Sequence, residues 1–266
     1  MNPNTYSDPL TARFAGTSGG NPNLNEEAAT TWTAGFVLRP SIVRGLTLSM
    51  DYYSIEIKDA IAAVTAQNIV NSCYDLSTFP NQFCNLFERR ADGGFKTLRQ
   101  IQVNFGRIET SGVDLSLGYD FRIAANRFNV RMNVNRTEKL NRYFDPVRTD
   151  LVNPGLSELG APKWAGTVSA GWASGDFAVT WRSQYVGEQG AASAVQIEDA
   201  AAEFGPAAIA KAKWVHNLSA TYELNDSIQL LGGVNNLTNE EPYIASSAYP
   251  VSGIGRSFFL GVRAKF

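Results

Sequence analysis

Arg256-Ser-Phe-Phe-Leu-Gly-Val-Arg-Ala-Lys-Phe266 ends the chain with alternating side-chain types. The even positions from Phe258 to Phe266 are all apolar, whereas the odd positions include Gly261, Arg263 and Lys265. Because successive side chains of a β-strand point to opposite faces, this alternation predicts a strand with one apolar face.

The same alternation recurs along most of the 266-residue chain. In the second predicted strand, for example, Leu46, Leu48 and Met50 alternate with Thr47 and Ser49. Helical or second-sheet segments are too scarce to cover so many apolar faces, so lipid is the predicted cover. The nine predicted strands lie near residues 26–38, 46–57, 96–122, 128–134, 164–172, 177–185, 214–224, 228–234 and 258–266.

Short and long connections between the predicted strands alternate. The short connections lie near residues 40–44, 122–126, 174–176 and 225–226, and the long ones near 58–96, 139–162, 188–212 and 238–255. Outer-membrane barrels have tight periplasmic turns and long external loops. The pattern therefore predicts an all-β fold: an antiparallel, up-and-down transmembrane β-barrel, present here as an open segment of about nine strands with long external loops.

Composition excludes several other classes of protein. The net charge is −2 and charged residues make up 18% of the chain, which is not the basic footprint of a nucleic-acid-binding protein. No run of about 18 apolar residues is present, which excludes a membrane-spanning helix. Two loop segments carry helix-forming residues, and short helices are predicted over Asp59–Val70, with Asp59 as the cap, and within Ala191–Ala212.

Cys73 and Cys84 are the only cysteines and lie in the same predicted loop. In an exported protein a disulfide between them is the simplest prediction. Two unpaired buried thiols are the alternative. A metal site is disfavoured because the single histidine, His216, lies far away in the sequence.

Gly16-Thr-Ser-Gly-Gly20 formally matches the nucleophile elbow of hydrolases. That motif requires a strand before the serine and a helix after it, whereas Asn21-Pro22 follows here at once. We predict no catalytic site and no cofactor, and the chain is not expected to be an enzyme.

Three stretches together resemble TonB-dependent outer-membrane receptors. Val103-Asn-Phe-Gly-Arg-Ile-Glu-Thr-Ser-Gly-Val-Asp-Leu115 resembles their "vNxgxxxxxGvDl" stretch. Gly20-Asn-Pro-Asn-Leu-Asn-Glu-Glu27 looks like their "GNPxLxPE" entry into a strand and departs from it at Asn25. Val234-Asn-Asn-Leu-Thr-Asn-Glu-Glu-Pro-Tyr243 is similar to their "vxNLtdxxY" stretch near the end.

The resemblance implies a transport function in the bacterial outer membrane. Such a receptor has a 22-stranded barrel in lipid, an N-terminal plug domain and a segment that binds the TonB complex, and it captures a scarce small-molecule or oligosaccharide ligand. The ligand would be a ferric siderophore, cobalamin or an oligosaccharide. Phe266 resembles the terminal signal that the barrel-assembly machinery reads.

The resemblance also sets the expected domain organisation. Residues 1–24 are expected to form an external loop leading into the barrel, and residues 25–266 its C-terminal portion. The opening residues have no basic region followed by an apolar segment, so no signal peptide is predicted. We therefore expect a C-terminal fragment that lacks the plug and the first barrel strands.

Candidate functional residues lie in three places, and each has a structural alternative. External-loop groups are candidates for ligand capture: Tyr74, Phe83, Arg89, Arg90, Tyr143, Phe144, Tyr243 and Tyr249. Lumen-facing charges are expected in any large barrel and are also candidates for plug or substrate contacts: Asp51, Asp114, Asp120, Arg131, Arg182, Glu223, Arg263 and Lys265. Aromatic residues predicted to girdle the barrel at the lipid headgroups are Trp164, Trp181, Trp214 and Tyr222.

Two other architectures fit the strand pattern. A complete small porin or adhesin barrel of eight to ten strands requires the first and last strands to pair with each other. A soluble β-sandwich binding module requires the apolar face of each strand to be buried in protein.

Overall fold

The structure, a computed structural model, describes residues 15–192, 197–243 and 249–265. Two α-helices, α1 (Ala66–Asp75) and α2 (Ile197–Phe204), lie in the long connections. The strands are β1 (Ala15–Gly19), β2 (Ala28–Leu38), β3 (Leu46–Ala63), β4 (Phe87–Arg89), β5 (Phe95–Ile123), β6 (Asn126–Tyr143), β7 (Asn153–Pro154), β8 (Trp164–Ser174), β9 (Phe177–Val186), β10 (Gln189–Gly190), β11 (Ile209–Ala210), β12 (Lys213–Asn225), β13 (Ile228–Asn235) and β14 (Ser257–Ala264).

Nine long strands form one sheet in the order β14-β13-β12-β9-β8-β6-β5-β3-β2. Each long strand therefore lies beside the next long strand in the sequence, which confirms the predicted up-and-down arrangement. The pairings β6–β8, β8–β9, β9–β12, β12–β13 and β13–β14 are antiparallel and in continuous register, apart from one shift near the end of β12. In the described part of the chain, β2 and β14 end this order and do not pair with each other.

The short connections are tight turns whose geometry follows from their residues. The turn before β3 contains Gly45 at φ +86°, and Gly45 accepts a hydrogen bond from the Asp120 amide at 3.0 Å. A Cβ at Gly45 would overlap the Asp120 carbonyl, so the turn requires glycine. Between β12 and β13, the Asn225 side chain accepts hydrogen bonds from the amides of Ser227 and Ile228.

The predicted helix over Asp59–Val70 is wrong in position. Strand β3 continues to Ala63, and α1 begins at Ala66 after its cap Thr65, whose hydroxyl accepts from the Asn68 amide. Asp59 lies inside β3 at φ 53° and caps nothing. The helix predicted in the other loop corresponds to α2.

The loop predicted for residues 1–24 contains a strand in its described part. Strand β1 pairs in parallel with β5, from Ala15 opposite Thr97 to Gly19 opposite Ile101. Ser18 of the formal nucleophile-elbow motif lies inside this strand, and no helix follows it in residues 20–27.

Two compact units make up the described chain. The first contains residues 15–30, Ile55–Glu109 and Asn141–Asn153. The second contains Thr31–Ser54, Thr110–Leu140 and the described residues from 154 to 265. The first unit has a hydrophobic core between the long loop and β5, formed by Val64, Ile69, Cys73, Phe83, Leu86, Leu98 and Val103.

The second unit is a sheet with one apolar and one polar face. The apolar face includes β14 residues Phe258 and Leu260, which are 74% and 88% exposed. On the polar face, Arg131, Ser169 and Arg182 lie in register on neighbouring strands. No helix in the described ranges is long and apolar enough to cross a membrane.

Candidate functional site

The long loop of the first unit is closed by a disulfide between Cys73 and Cys84. Asn81 fixes the chain beside it, because its amide group donates to the carbonyl oxygens of Ser72 and Thr78 and its oxygen accepts from the Phe83 amide. Phe83, predicted as a ligand-loop residue, is only 1% exposed and belongs to the core instead. Its ring stabilises the loop by packing in that core and is not accessible to a ligand.

Arg89 is exposed, and three aromatic rings of the same unit lie beside its guanidinium. Its guanidinium carbon lies 4.4 Å from the Phe95 ring centre and 5.6 Å from the ring centres of both Tyr74 and Phe87. Arg89 Nε donates to the Tyr74 hydroxyl at 3.1 Å. Arg90 is also exposed, and among the described residues its guanidinium contacts only Asp92, at 3.9 Å, so it is more available to a ligand.

Tyr143 and Phe144 lie in a second group of the same unit. The Arg107 guanidinium carbon lies 3.9 Å from the Tyr143 ring centre, and Arg107 also pairs with Glu109 at 3.2 Å. The Tyr143 hydroxyl donates to Glu109 at 3.3 Å. Phe144 packs over Gly106, where a Cβ would lie 2.7 Å from its ring.

Tyr243 and Tyr249 lie together in the second unit, with ring centres 5.7 Å apart. The Tyr243 hydroxyl donates to the Lys211 carbonyl at 2.9 Å, and burial raises the pKa of Tyr243, with Tyr249 adding to the effect. Tyr243 is 6% exposed, so its side chain packs within the loop and is largely inaccessible to a ligand. Tyr249 is half-buried.

Gln189 joins three connections of the second unit. Its side-chain oxygen accepts from the Gly160 amide at 2.7 Å and from the Tyr249 hydroxyl at 3.3 Å, and its nitrogen donates to the Gly187 carbonyl. Gln189 could not be predicted from the sequence, because a single glutamine in a loop belongs to no pattern. Its burial, with 1% of its surface exposed, results from the packing of residues that are distant in the sequence.

Two asparagines of the family-like stretches also have structural roles that could not be predicted from the sequence. Asn104 donates to the carbonyls of Asn25 and Asp59 and accepts from the Asn25 amide. Asn236, at φ 53°, forms two 2.8 Å hydrogen bonds with the backbone of Glu240. Asn104 thus fastens the connection before β2 and the backbone of β3 to β5, and Asn236 fixes the connection that follows β13.

The predicted lumen-facing charges on β5 and β6 lie on the polar face and interact across strands. Arg131 binds both carboxylate oxygens of Asp120, at 2.6 and 2.7 Å. Asn135 donates to Asp114 at 2.7 Å. Of the other predicted charges, Arg182, Glu223 and Arg263 follow the same parity, with Arg182 opposite Ser169 and Asn217, Glu223 opposite Gln229, and Gln229 opposite Arg263.

Aromatic side chains lie near both ends of three neighbouring strands on the apolar face. Trp164, Tyr185 and Trp214 are at the long-loop end, and Trp172, Phe177 and Tyr222 are at the short-turn end. Trp181 was predicted at a strand end but lies in the middle of β9, stacked on His216 with ring centres 5.7 Å apart.

Two further predictions concern the C-terminal residue and a metal site. Phe266, the predicted recognition signal for barrel assembly, lies outside the described residues. Within the described ranges, no group of three or more histidine, cysteine, aspartate or glutamate side chains is arranged to hold a metal ion.

An antiparallel up-and-down sheet with tight turns at one end, long loops at the other and an exposed apolar face is the architecture of outer-membrane β-barrels. The chain belongs to the TonB-dependent receptor family. The family model "TonB dependent receptor-like, beta-barrel" matches residues 1–237. The family is one of transport receptors rather than enzymes.

Solved receptor structures have the same fold. A variant of the ferric enterobactin receptor from Pseudomonas aeruginosa, in complex with enterobactin, matches with a TM-score of 0.60 at 15% identity. The FrpB iron transporter from Neisseria meningitidis matches with a TM-score of 0.59 at 19% identity. The siderophore receptor PirA from Acinetobacter baumannii matches with a TM-score of 0.57 at 16% identity.

Each comparison covers 94% of this chain and 33% of the solved structure. The chain therefore spans about a third of the length of these receptors. No curated protein sequence matches it.

Proposed function

We propose that this chain supplies the C-terminal strands of a TonB-dependent receptor barrel in the bacterial outer membrane. In this proposal the remaining strands, the plug domain and the segment that binds the TonB complex belong to the rest of the receptor. The long loops face outward and capture a scarce solute, and the short turns face the periplasm. Assembly would use the C-terminal strand ending at Phe266.

The single observation that carries the proposal is the exposed apolar face of the second unit. Trp32 on β2 and Phe258 on β14 are both 74% exposed, and large apolar side chains lie on the same face of the strands between them. Exposing a continuous apolar surface to water is unfavourable, whereas lipid would cover it at no such cost. A polar opposite face suits a water-filled or plugged lumen.

The free edges of the sheet support a partial barrel. In the described residues, β2 and β14 are each paired along one side only. Unpaired backbone groups in lipid cost several kcal/mol each, so further strands are needed between these edges. A complete small porin would instead have β2 and β14 as hydrogen-bonded neighbours.

A soluble sandwich is disfavoured by the lack of covering protein. Apart from the main sheet, the described chain contains only the two-stranded sheet β10–β11 and short helices. These elements are too small to bury the apolar side chains of nine strands.

An iron chelate is the proposed ligand class. The structural relatives include a ferric enterobactin receptor and an iron transporter. In this chain, Arg90 offers an exposed guanidinium, and Tyr143 and Tyr249 offer aromatic groups that suit an anionic, aromatic chelate. Cobalamin and oligosaccharides are the alternative ligands.

The test is uptake of radiolabelled ferric enterobactin by iron-starved cells with and without the gene that encodes this chain. Outer-membrane fractions are first probed for the protein. We expect the protein in that fraction, gene-dependent uptake, and loss of uptake when the proton-motive force is removed. Recovery of the protein only in soluble fractions would refute the proposed location.

Substrate identity is tested with the variant Arg90→Ala and the control Arg39→Ala. Arg39 is an exposed arginine in the connection between β2 and β3, at the opposite end of the strands from the long loops. We expect weaker ferric enterobactin binding for Arg90→Ala and unchanged binding for Arg39→Ala. If cobalamin uptake requires the gene that encodes this chain and ferric enterobactin uptake does not, the iron-chelate proposal is wrong.

A further inference from the structure

A cavity of about 750 Å³ lies at the short-turn end of the second unit, and three arginines line it. Arg44 comes from the turn before β3, Arg122 from the end of β5 and Arg127 from the start of β6. We call these three residues the rim arginines. By strand parity, Arg122 and Arg127 lie on the polar face of the sheet together with Asp120 and Asn129. The strand pairing therefore collects positive charge from two separate turns on the face that suits a barrel lumen.

Small residues of β8 leave the space for this cavity. Ala173 lies opposite Arg127, and Gly171 lies opposite Asn129. A Cβ at Gly171 would overlap the Asn129 amide, so the glycine makes room for that side chain. The polar side of the cavity therefore presents guanidinium groups and one amide.

The charge of the rim arginines is not compensated by the described residues that line the cavity. Asp120 is the only carboxylate among those residues, and Arg131 binds both of its oxygens. Within the described ranges, none of the three rim arginines forms a side-chain hydrogen bond or an ion pair. Like charges that share a cavity repel one another, and a bound anion would relieve that repulsion.

This excess of positive charge is local to the cavity and is not a general property of the short-turn end. The turn between β8 and β9 carries Asp176, and the turn between β12 and β13 carries Asp226. Beside the second of these turns, Glu223 and Asp226 lie near Arg263 and Lys265, so acidic and basic groups balance there. An anion at this end of the sheet is therefore attracted to the rim arginines.

We propose that the rim arginines bind a multivalent oxyanion, and that this anion is the transported solute as it leaves the barrel. A guanidinium presents paired N–H donors that match the oxygens of carboxylates and phosphates, and three guanidinium groups suit an anion with more than one charge. The rings of Phe121 and Phe128 lie on the opposite, apolar face by strand parity and are not part of the site.

The inference rests on the proposed function, which places an anionic iron chelate in the lumen and the short turns at the periplasm. In that arrangement the solute reaches the rim arginines after it has passed the long loops. All three arginines are exposed to water, where ion pairs are weak. The site therefore suits release of the solute and not its tight capture.

The test measures the binding of pyrophosphate to the purified full receptor by isothermal titration calorimetry. We expect weak binding that decreases as the salt concentration rises, because exposed charges are screened. Each change of one rim arginine to glutamine should weaken binding by about two- to fivefold, the range for one exposed ion pair. The triple variant Arg44→Gln/Arg122→Gln/Arg127→Gln should weaken it by roughly tenfold or more.

Arg39→Gln is the matched control, because Arg39 lies in the same connection as Arg44 but does not line the cavity. It should bind pyrophosphate like the unchanged protein. Urea unfolding followed by tryptophan fluorescence should be the same for the triple variant, so that a loss of binding reports on the site and not on the fold. Equal pyrophosphate binding by the triple variant and the unchanged protein overturns the site, and so does an equal loss in Arg39→Gln.

The role in release is tested by ferric enterobactin uptake in cells that carry the triple variant. Binding at the cell surface depends on the loops at the other end and should persist, whereas the uptake rate should fall by about two- to fivefold. Unchanged uptake by a variant that has lost pyrophosphate binding overturns this role. Faster proteolysis of the rest of the receptor in the triple variant, with pyrophosphate binding unchanged, assigns the arginines to an acidic protein segment and also overturns the proposal.

The two proposals fail separately in this design. Absence of the receptor from the outer-membrane fraction, or no gene-dependent uptake by cells with the unchanged gene, contradicts the proposed function. Gene-dependent uptake together with pyrophosphate binding that does not require the rim arginines contradicts the oxyanion site alone.

Discussion

The phenol ring of Tyr53 lies over Gly112, where a side chain would collide with it. A Cβ at Gly112 would be 2.5 Å from the Tyr53 hydroxyl oxygen and 2.5 Å from the Arg136 carbonyl oxygen. The vacant space lets the Tyr53 hydroxyl accept a hydrogen bond from Asn135, which also donates to Asp114. The absence of a side chain at Gly112 therefore makes room for the polar network that includes Asp114. Both residues belong to the family-like stretch.

Replacing Gly112 with alanine should destabilise the sheet by about 1–3 kcal/mol, the usual cost of overpacking. The Arg136 carbonyl is backbone and cannot move away freely. Gly118→Ala is the control on the same strand, because its Cβ would meet only the flexible Arg131 side chain at 3.6 Å. Urea unfolding followed by tryptophan fluorescence compares the two. Equal free energies of unfolding would contradict the prediction.

Asn104→Ala should lower stability by about 1–3 kcal/mol, because it leaves the backbone groups of Asn25 and Asp59 without their partner. Hydrogen exchange should rise at the Asn25 amide in particular. Gln102→Ala is the matched control, since Gln102 is exposed on the same strand and its side chain forms no hydrogen bond with the described residues. Unchanged exchange at Asn25 in Asn104→Ala would refute this role.

Removing the disulfide with Cys73→Ala/Cys84→Ala should destabilise the loop by about 2–3 kcal/mol, because the unfolded loop is no longer constrained. The expected result is faster proteolysis between residues 64 and 105, with the strands of the second unit unaffected. Reductant should accelerate cleavage of the unchanged protein and have no further effect on the double variant. Identical cleavage of both proteins without reductant would contradict the prediction.

The hydrogen bonds to Asp145 predict that its loop becomes less stable in acid. The Arg148 amide and guanidinium and the Val147 amide donate to its carboxylate and hold the pKa of Asp145 below its usual value. A depressed pKa stabilises the folded loop above the unfolded value, near pH 3.9, and this contribution is lost as the pH falls through the lower folded value. Proteolysis at the loop should therefore be constant from neutral pH to about pH 4 and increase below it.

Asp145→Ala removes that contribution at neutral pH and should make the acid-induced increase smaller. Asp150→Ala is the control, since Asp150 lies in the same loop and takes no part in these hydrogen bonds. An acid response of Asp145→Ala equal to that of the unchanged protein would show that another group controls the loop.

The strands of the second unit were predictable because their period of two is a local property of the sequence. Strand β5, predicted from Lys96 to about Arg122, spans Phe95–Ile123. The end of β3 was not predictable in the same way. Glu27 accepts from the Ile61 amide and Asn104 donates to the Asp59 carbonyl, so contacts from distant residues override the helical preference of that segment.

The candidate site was predictable in composition but not in arrangement. Arginine and tyrosine in the long loops could be read from the sequence. The partners of Arg89 and the burial of Phe83 and Tyr243 could not, because they depend on which loop residues pack together.

The spacing of the aromatic residues near both ends of β8, β9 and β12 predicts the thickness of the lipid layer that the proposed barrel would cross. In each strand the two rings are eight positions apart, as in Trp164 and Trp172. Eight residues span about 27 Å along a strand, or about 20 Å across a bilayer when strands tilt as in known barrels. A hydrocarbon layer of that thickness is thin, as in the bacterial outer membrane. Reconstitution should therefore succeed best in short-chain lipids, because longer acyl chains impose hydrophobic mismatch on every strand.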